Sequence, residues 1–492
     1  MVAEANRGVL PALFIVVCLN LLAHFIPFER VSLAGDDIQY LTIPPQERWE
    51  YVRSQTEPPA GRCLEICYIV LHWVVGDHPA LWVVPVFLTS SLLAGCVYLL
   101  MRRLIGDPVG SLLCSVLYVL LPNKVQLYHH LVYAHIHAVL AFTAVSFLFF
   151  LAYLRSSKRV HLLASVACYS ITIFWYELGY FLPLVLAVAA FPHGKRKLGA
   201  CLLFLVPVVL NVLWRSGVFS DGNFHLYPVY RQALHDMTFW DNLYGARKLF
   251  VGREMQKWIL CGLARFPAIG CPWLLLLVVA DQAVLWGFFR WFRKRRFPAI
   301  PLRLLPVSIA MVLFFLAPAA LGGELLGRHA ALADIGFCIL AVMALRFLAG
   351  SGALLRFLLT ALLGVGLVVS QGLAWSQVVS CRMNRAILET LREQGGSLTK
   401  VDQIVIDQYS LAQRIPSSWV KDPRNCLDSY WGVDGLLGEN FRGVILWVTG
   451  KRIPLEIIRS DQWRVPREET LLIDYAAVYA QGFYDGRRSP DR

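Results

Sequence analysis

The sequence predicts an all-α polytopic membrane protein of about 11 transmembrane helices, followed by a small extracytoplasmic α/β domain at the C-terminus. Three observations lead to this prediction. Hydrophobic residues make up 57% of the 492 residues and charged residues only 16%, and the mean hydropathy is +0.55. The apolar residues form long runs, and Lys and Arg are concentrated in alternate loops between those runs. A soluble chain of this length could not disperse such a composition in water.

The first span runs from Val9 to Phe28, close to the roughly 20 apolar residues that cross a hydrocarbon core. No small-residue cleavage site follows it, so we interpret it as a retained anchor. Further apolar runs predict the remaining spans, at 80–101, 109–122, 131–154, 160–176, 178–191, 198–214, 271–289, 304–321, 330–348 and 353–376.

Basic residues orient these spans, because Lys and Arg favour cytoplasmic loops. With a cytoplasmic N-terminus, every inside loop up to Arg303 is basic, and these loops include Arg102, Arg103, Arg155, Lys158, Arg159, Lys195, Arg196, Lys197 and Arg290. The net charge of +13 mainly reflects this bias and favours contact with anionic lipid in an inner or plasma membrane. No motif indicates binding to nucleic acid.

Two domains follow from this topology. Residues 1–376 form the transmembrane domain, with long outer loops at 29–79 and 215–258. Residues 377–492 form the extracytoplasmic domain, which we assign either to acceptor docking or to a stabilising lid. Its short β-branched runs alternate with helix-prone stretches such as Met383–Gln394 and predict strands at Gln403–Asp407, Gly443–Val448 and Thr470–Ile473.

Asp36 and Asp37 lie in the first outer loop, just beyond the first span. Adjacent carboxylates raise one another's pKa, so one of them is suited to take a proton from an attacking hydroxyl group. The alternative is that Asp36 caps a following helix and Asp37 is simply solvated. The pair therefore provides two candidate catalytic carboxylates.

The loop between the third and fourth spans contains Lys124 and His130. An ammonium group and an imidazole at the outer mouth of the bundle are suited to hold a phosphate. The alternatives are interfacial side chains that reach the aqueous phase and a metal site, which the absence of a known helical zinc spacing disfavours.

Three further candidates lie at outer junctions of the spans. Glu177 interrupts a long apolar stretch, and an ionisable residue there is a functional candidate or a partner in a structural ion pair. Arg328 and His329 form a short outer loop, in which the guanidinium could bind a phosphate bidentately or contact lipid head groups. All of the candidates share one side of the membrane, a layout suited to attack on a sugar attached to a lipid phosphate.

This layout resembles the C-type superfamily of multi-spanning glycosyltransferases that use polyprenyl-phosphate sugars, and within it the bacterial members of family 39. Gly35-Asp36-Asp37 stands where that superfamily has its catalytic acidic motif. The segment from Tyr176 to Pro183 is similar to a Lys-Glu segment in many members, with Tyr176 in place of Lys. Gly327-Arg328-His329 resembles a later Arg-Tyr motif, with His329 in place of Tyr. The resemblance covers 1–376.

The resemblance implies an inverting transfer from a polyprenyl-phosphate sugar to a glycan, lipid or protein acceptor, with Asp36 or Asp37 as the base. It implies that Lys124, His130, Glu177, Arg328 and His329 surround the donor phosphate. No cofactor is implied, although a divalent metal ion remains an alternative. A lipid-linked polysaccharide polymerase or ligase and a transporter or flippase are the alternative functions.

Overall fold

The computed structural model describes residues 9–24, 47–57, 62, 64, 66–67, 74–75, 79–124, 127–128, 133–216, 239–245, 247, 250, 252–293, 300–321, 330–349, 352–393, 403–407, 455–458 and 470–473. In these residues the chain forms a helical bundle followed by three short strands. The α-helices are α1 (Val9–Ala23), α2 (Arg48–Thr56), α3 (Pro79–Ile105), α4 (Pro108–Leu120), α5 (Ala134–Ser156), α6 (Arg159–Trp175), α7 (Leu182–Ala190), α8 (Lys195–Gly199), α9 (Leu205–Arg215), α10 (Phe239–Gly245), α11 (Arg253–Arg265), α12 (Cys271–Arg293), α13 (Leu305–Leu321), α14 (Ala333–Ala349) and α15 (Gly352–Glu393).

Every apolar run that the sequence predicts as a span contains helical structure within its described residues. Within the described residues, 5 segments are long and apolar enough to cross a membrane, namely Leu81–Ile105, Ala134–Ser156, Lys195–Arg215, Cys271–Arg293 and Gly352–Trp375. The protein is therefore an integral membrane protein. The other runs form shorter helices, so a total of about 11 crossings stays a prediction.

The shortest of these helices is α7, whose 9 residues cover only about 14 Å. Short 3-10 turns lie on both sides of it, at Glu177–Gly179 and Phe191–His193. Pro183 lies in the first turn of the helix, where proline is well tolerated. Pro192 lies just after its end, and a proline there cannot continue the helix because it lacks a backbone N–H.

Local signals also set the ends of longer helices. The Asp107 side chain accepts a hydrogen bond from the Gly110 N–H at 2.8 Å, and Pro108 follows it, so α4 has a capped start. Ser157 adopts the left-handed conformation, with φ of 58°, and ends α5. Between these ends, α5 packs against both α3 and α6. It is therefore a core helix of the bundle.

The bundle has two chemically different ends. At one end, the Arg155 guanidinium donates to the Arg103 carbonyl at 2.7 Å, and the Lys197 ammonium donates to the Tyr153 carbonyl at 3.0 Å. We call this the basic end. His135 lies at the opposite end of α5, roughly 30 Å from Arg155 along the helix. We call that end of the bundle the loop end. The alternation of basic loops predicts this separation.

Helices α11 and α15 cross at two glycines. A methyl group at Gly372 would overlap the Gly262 carbonyl oxygen, and one at Gly262 would overlap the Val369 carbonyl oxygen. The backbones therefore touch directly, as is common where small residues meet between membrane helices.

The strands form a parallel sheet in which β1 (Gln403–Asp407) lies between β2 (Leu455–Ile458) and β3 (Thr470–Ile473). The bounds of β1 and β3 are those predicted from the sequence, whereas the predicted strand Gly443–Val448 lies outside the described residues. Helix α15 continues beyond the predicted end of the last span and takes in most of the helix-prone stretch that follows it. The separate α/β domain itself stays a prediction.

Candidate functional site

Most of the residues predicted for the site lie outside the described residues. This applies to Asp36, Asp37, His130, Arg328 and His329. The backbones of Lys124 and Glu177 are described, each within a 3-10 turn at the loop end, but their side chains are not. The described segments that lead into these residues surround the predicted site.

Asn123 and Asp334 join two of these segments. The Asn123 side-chain amide donates to Asp334 Oδ1 at 2.7 Å, and both side chains are fully buried. Asn123 immediately precedes Lys124, in the turn that follows α4. Asp334 lies in the first turn of α14, shortly after Arg328 and His329. The bond therefore joins two described segments, each of which lies next in sequence to a loop with a predicted phosphate-binding cation.

Tyr128 lies beside this pair. Burial raises the pKa of its hydroxyl group, and the neighbouring Asp334 carboxylate raises it further, so the phenol stays protonated. Its ring stacks on the His24 ring with centroids 3.5 Å apart and lies 5.2 Å from the His137 ring. His24 Nε2 also donates to the Val119 carbonyl at 3.2 Å. The end of α1, which leads into the loop with Asp36 and Asp37, is thereby fixed next to the turn that holds Asn123.

The first outer loop contacts the bundle again beside the predicted residue Glu177. The Arg62 guanidinium lies over the ring of Tyr176, 4.6 Å from its centroid. The Leu64 N–H donates to the Phe174 carbonyl at 3.3 Å. The His135 ring lies 6.1 Å from the Tyr176 ring. A cation from the first loop therefore lies next to the residue that precedes Glu177.

The turn that contains Glu177 is also held by hydrogen bonds at Tyr180, on its C-terminal side. The Tyr169 hydroxyl donates to the Tyr180 carbonyl at 3.1 Å, and the Tyr180 hydroxyl donates to Asn211 Oδ1 at 2.5 Å. The Arg215 guanidinium donates to the Tyr180 hydroxyl at 3.4 Å. These contacts join the ends of α6 and α9 to the turn, so its backbone is fixed even though the Glu177 side chain is not described.

A second buried polar pair lies between α12 and α15. Gln371 Nε2 donates to Asp281 Oδ1 at 2.9 Å and lies 3.4 Å from the Leu22 carbonyl, near the end of α1. A carboxyl group inside a membrane bundle is costly unless it is paired. The pair therefore stabilises the meeting of three helices near the loop end.

Across the described part of the chain, no group of three His, Cys, Asp or Glu side chains is arranged to hold a metal ion. The described polar groups include guanidinium groups and imidazoles. Guanidinium and protonated imidazole groups bind an anionic ligand through charge-assisted hydrogen bonds.

Sequence reasoning did not select His24, Asn123, Tyr128, Asp334 or Arg62. Two signals could have found some of them. Asp334 interrupts the apolar run 330–348, as Asp281 interrupts 271–289, and an isolated carboxylate in a span needs a partner. Asn123 lies directly beside the selected Lys124. Nothing in the sequence pairs Asn123 with Asp334, because 211 positions separate them.

Comparison with known proteins gives a distant structural similarity. No protein-family model matches the chain, and no curated protein matches it either. Among solved structures, the chain is similar to the crystal structure of ArnT from Cupriavidus metallidurans bound to undecaprenyl phosphate. The sequences are 14% identical, the TM-score is 0.43, and the similarity covers 96% of this chain and 88% of that chain.

Proposed function

We propose that the protein is an integral membrane glycosyltransferase that moves a sugar from a polyprenyl-phosphate donor to an acceptor at the loop end of the bundle. One observation carries the proposal: contacts at the loop end hold together every segment from which a predicted site residue extends. The stacking of His24 on Tyr128 fixes the start of the first outer loop. The Asn123–Asp334 bond joins the segments that lead into the loops with Lys124 and Arg328, and Arg62 lies beside the Glu177 turn.

The loop end is the extracytoplasmic end in this proposal. Arg103, Arg155 and Lys197 meet at the other end, and basic loops favour the cytoplasm. A polyprenyl donor suits this position, because its hydrocarbon chain lies in the bilayer while its phosphate lies at the interface.

In the proposed reaction, Asp36 accepts the proton of an acceptor hydroxyl or amine. That oxygen or nitrogen attacks the anomeric carbon, the bond from this carbon to the phosphate oxygen breaks, and polyprenyl phosphate leaves. The configuration is inverted because attack and departure occur on opposite faces of the sugar. Asp37 positions Asp36 or the acceptor. Removal of a general base such as Asp36 typically lowers the rate by about 10²–10⁴-fold.

The predicted cations act on the leaving group. Lys124, His130, Arg328 and His329 stabilise the negative charge that grows on the phosphate as the bond to the sugar breaks. Such preorganised charge is typically the largest contribution to catalysis. Glu177 orients these cations around the phosphate. Because the leaving group is already an activated phosphate, the proposed reaction needs no cofactor.

A binding experiment tests the donor side of this proposal. The dissociation constants of polyprenyl phosphate and of uncharged polyprenol are measured with the purified protein in detergent. Their ratio is the phosphate preference, which isolates the contribution of the phosphate group. We expect a clear phosphate preference that falls about tenfold or more in Lys124→Ala and in Arg328→Ala, because each removes a charge-assisted hydrogen bond.

Arg53→Gln is the matched control. Arg53 belongs to the same set of outer basic residues, but it is exposed and pairs with Glu57 at 3.1 Å, and such surface pairs contribute little. An equal affinity for the two lipids in the wild-type protein would contradict the proposed function.

A further inference from the structure

Three arginine side chains from separate loops lie close together at the basic end of the bundle. Arg103 lies in the last turn of α3, Arg155 lies in the last turn of α5, and Arg303 lies in the 3-10 turn that leads into α13. The Arg155 guanidinium donates to the Arg103 backbone carbonyl at 2.7 Å. The charges of Arg103 and Arg303 both repel that of Arg155. We call these three residues the arginine cluster.

We propose that the arginine cluster binds the head group of an anionic phospholipid that carries two phosphate groups, at the cytoplasmic surface of the membrane. Three guanidinium groups supply three permanent positive charges, which a lipid with a single phosphate neutralises only in part. The planar guanidinium fork also matches phosphate oxygens in geometry. The inference does not depend on the proposed sugar transfer, because the cluster lies at the end of the bundle opposite the predicted site.

No described carboxylate neutralises the cluster. In the part of the chain that the structure describes, none of the three arginines forms an ion pair, and Arg103 and Arg303 donate no side-chain hydrogen bond. Asp107 follows Arg103 closely in sequence, but its carboxylate caps α4 by accepting from the Gly110 N–H at 2.8 Å. The cluster therefore retains its positive charge and most of its hydrogen-bond donors for a ligand.

The helix dipoles account for two of the arginines but not for the third. A cation is stabilised at the C-terminus of a helix and destabilised at the N-terminus. Arg103 and Arg155 lie at C-terminal ends, whereas Arg303 lies just before the N-terminus of α13, a helix of 17 residues. Arg303 is therefore held beside like charges and beside the positive end of a dipole. A bound anion stabilises such an arrangement.

The rule that orients membrane proteins does not require this convergence. Basic loops orient the spans through their number of Lys and Arg residues, and these residues can stay apart and solvated. Arg290 and Arg293 belong to the same inside loop as Arg303, and the Arg290 guanidinium lies over the ring of Trp286, 5.0 Å from its centroid. Arg303, by contrast, acts on the charge of Arg155. The convergence is therefore a specific property of the arginine cluster.

The surroundings of the cluster favour a lipid over a soluble anion. Arg103 and Arg155 lie at the ends of two helices that are long and apolar enough to cross a membrane. Leu302 and Leu305, on either side of Arg303, are both exposed. Apolar surface for acyl chains therefore adjoins the groups that would bind the phosphates, and basic sites between membrane helices on the cytoplasmic side are known to hold such lipids.

The test measures the dissociation constants of two lipids with the purified full-length protein in an uncharged detergent. The probes are cardiolipin, which has two phosphate groups, and phosphatidylglycerol, which has one. We expect the wild-type protein to bind cardiolipin at least about tenfold more tightly, because the second phosphate gains further charge-assisted hydrogen bonds. Equal dissociation constants for the two lipids would overturn the assignment of a two-phosphate ligand.

The decisive variant removes two charges from the cluster. Arg103→Gln, Arg303→Gln leaves the hydrogen bond of Arg155 in place, because that bond is made to the Arg103 backbone. The matched control Arg290→Gln, Arg293→Gln removes the same charge from the same end of the bundle. We expect the cluster variant to bind cardiolipin at least about thirtyfold more weakly, and the control to stay within about threefold of the wild type. Equal losses in both variants would reduce the cluster to a general positive surface and overturn the site.

Thermal unfolding separates lost binding from misfolding. Without added lipid, the cluster variant should melt at or above the temperature of the wild type, because repulsion between like charges has been removed. Added cardiolipin should raise the melting temperature of the wild type and of the control but not that of the cluster variant, since a ligand stabilises only the folded protein that binds it. A cluster variant that melts well below the wild type without lipid, or that cardiolipin stabilises as much as the wild type, would contradict the proposal.

A soluble anion is the other source of the same chemistry. Pyrophosphate has two phosphate groups and no acyl chains, and its dissociation constant is measured with the same proteins. We expect it to bind at least about tenfold more weakly than cardiolipin, because it cannot use the exposed apolar surface. Pyrophosphate that binds the wild type as tightly as cardiolipin, and is lost in the cluster variant, would overturn the lipid as the occupant.

Discussion

The crossing of α11 and α15 provides a stability prediction that can be worked from the structure. In Gly372→Ala the new methyl carbon would overlap the Gly262 carbonyl oxygen and lie 2.7 Å from the carbonyl carbon. Both atoms belong to the backbone, so a change of side-chain rotamer cannot relieve the contact. The helices must move apart by more than about 1 Å, and overpacking of this kind typically costs about 1–3 kcal/mol.

We expect the upper end of that range for Gly372→Ala, with a fall in melting temperature of about 5 °C. Thermal unfolding of the purified protein in mild detergent measures it. Gly287→Ala is the matched control, because Gly287 is also helical but has no atom within 4 Å of its added methyl group. There alanine should be neutral or stabilising, since it favours helix by about 1 kcal/mol over glycine.

The double variant Gly262→Ala, Gly372→Ala sharpens the test. Once one methyl group has separated the helices, the second should destabilise the protein less than it does alone. The double variant should therefore lose less stability than the sum of the two single variants. Equal melting temperatures for Gly372→Ala and Gly287→Ala would refute the close crossing.

Three further predictions concern the site and its surroundings. Asp36→Asn should lower transfer by at least about two orders of magnitude while polyprenyl phosphate binding stays unchanged; near-normal turnover would move the role of base to Asp37. Gln371→Leu should lower stability by about 1–3 kcal/mol because Asp281 loses its amide partner. Changing both Gln371 and Asp281 to Leu should give a melting temperature much closer to that of the wild type. A double variant destabilised by the sum of the two single variants would contradict this pairing. Truncation after Glu393, which keeps α15 whole, should preserve donor binding and reduce transfer to the native acceptor; normal transfer would remove the docking role of the tail.

Much of the fold follows from local sequence patterns. Apolar runs and the spacing of basic loops predict the helices and the shared basic end, because burial in a bilayer imposes length and charge rules on each segment separately. The strands Gln403–Asp407 and Thr470–Ile473 follow from β-branched runs in the same way. By contrast, the strand Leu455–Ile458 was not predicted, because Glu456 interrupts its apolar run and glutamate is uncommon in strands.

The site was less predictable than the fold because it depends on contacts between distant positions. Lys124 and Arg328 attract attention as charged residues beside spans. The segments next to them in sequence are joined by a buried hydrogen bond between Asn123 and Asp334, which no local pattern indicates. Likewise, the stacking of His24 on Tyr128 depends on how α1 and α4 pack. Local patterns cannot specify such partners, which is why Asn123 and Asp334 emerge only from the three-dimensional structure.

The central claim is that the protein consumes a polyprenyl-phosphate sugar. The most direct measurement is the composition of lipid-linked sugars in cells that lack the protein, compared with cells that carry the wild type or Asp36→Asn. We predict that one polyprenyl-phosphate sugar accumulates when the protein is absent, returns to its normal level with the wild type and stays high with Asp36→Asn. Unchanged levels of every lipid-linked sugar in all three strains would contradict the claim.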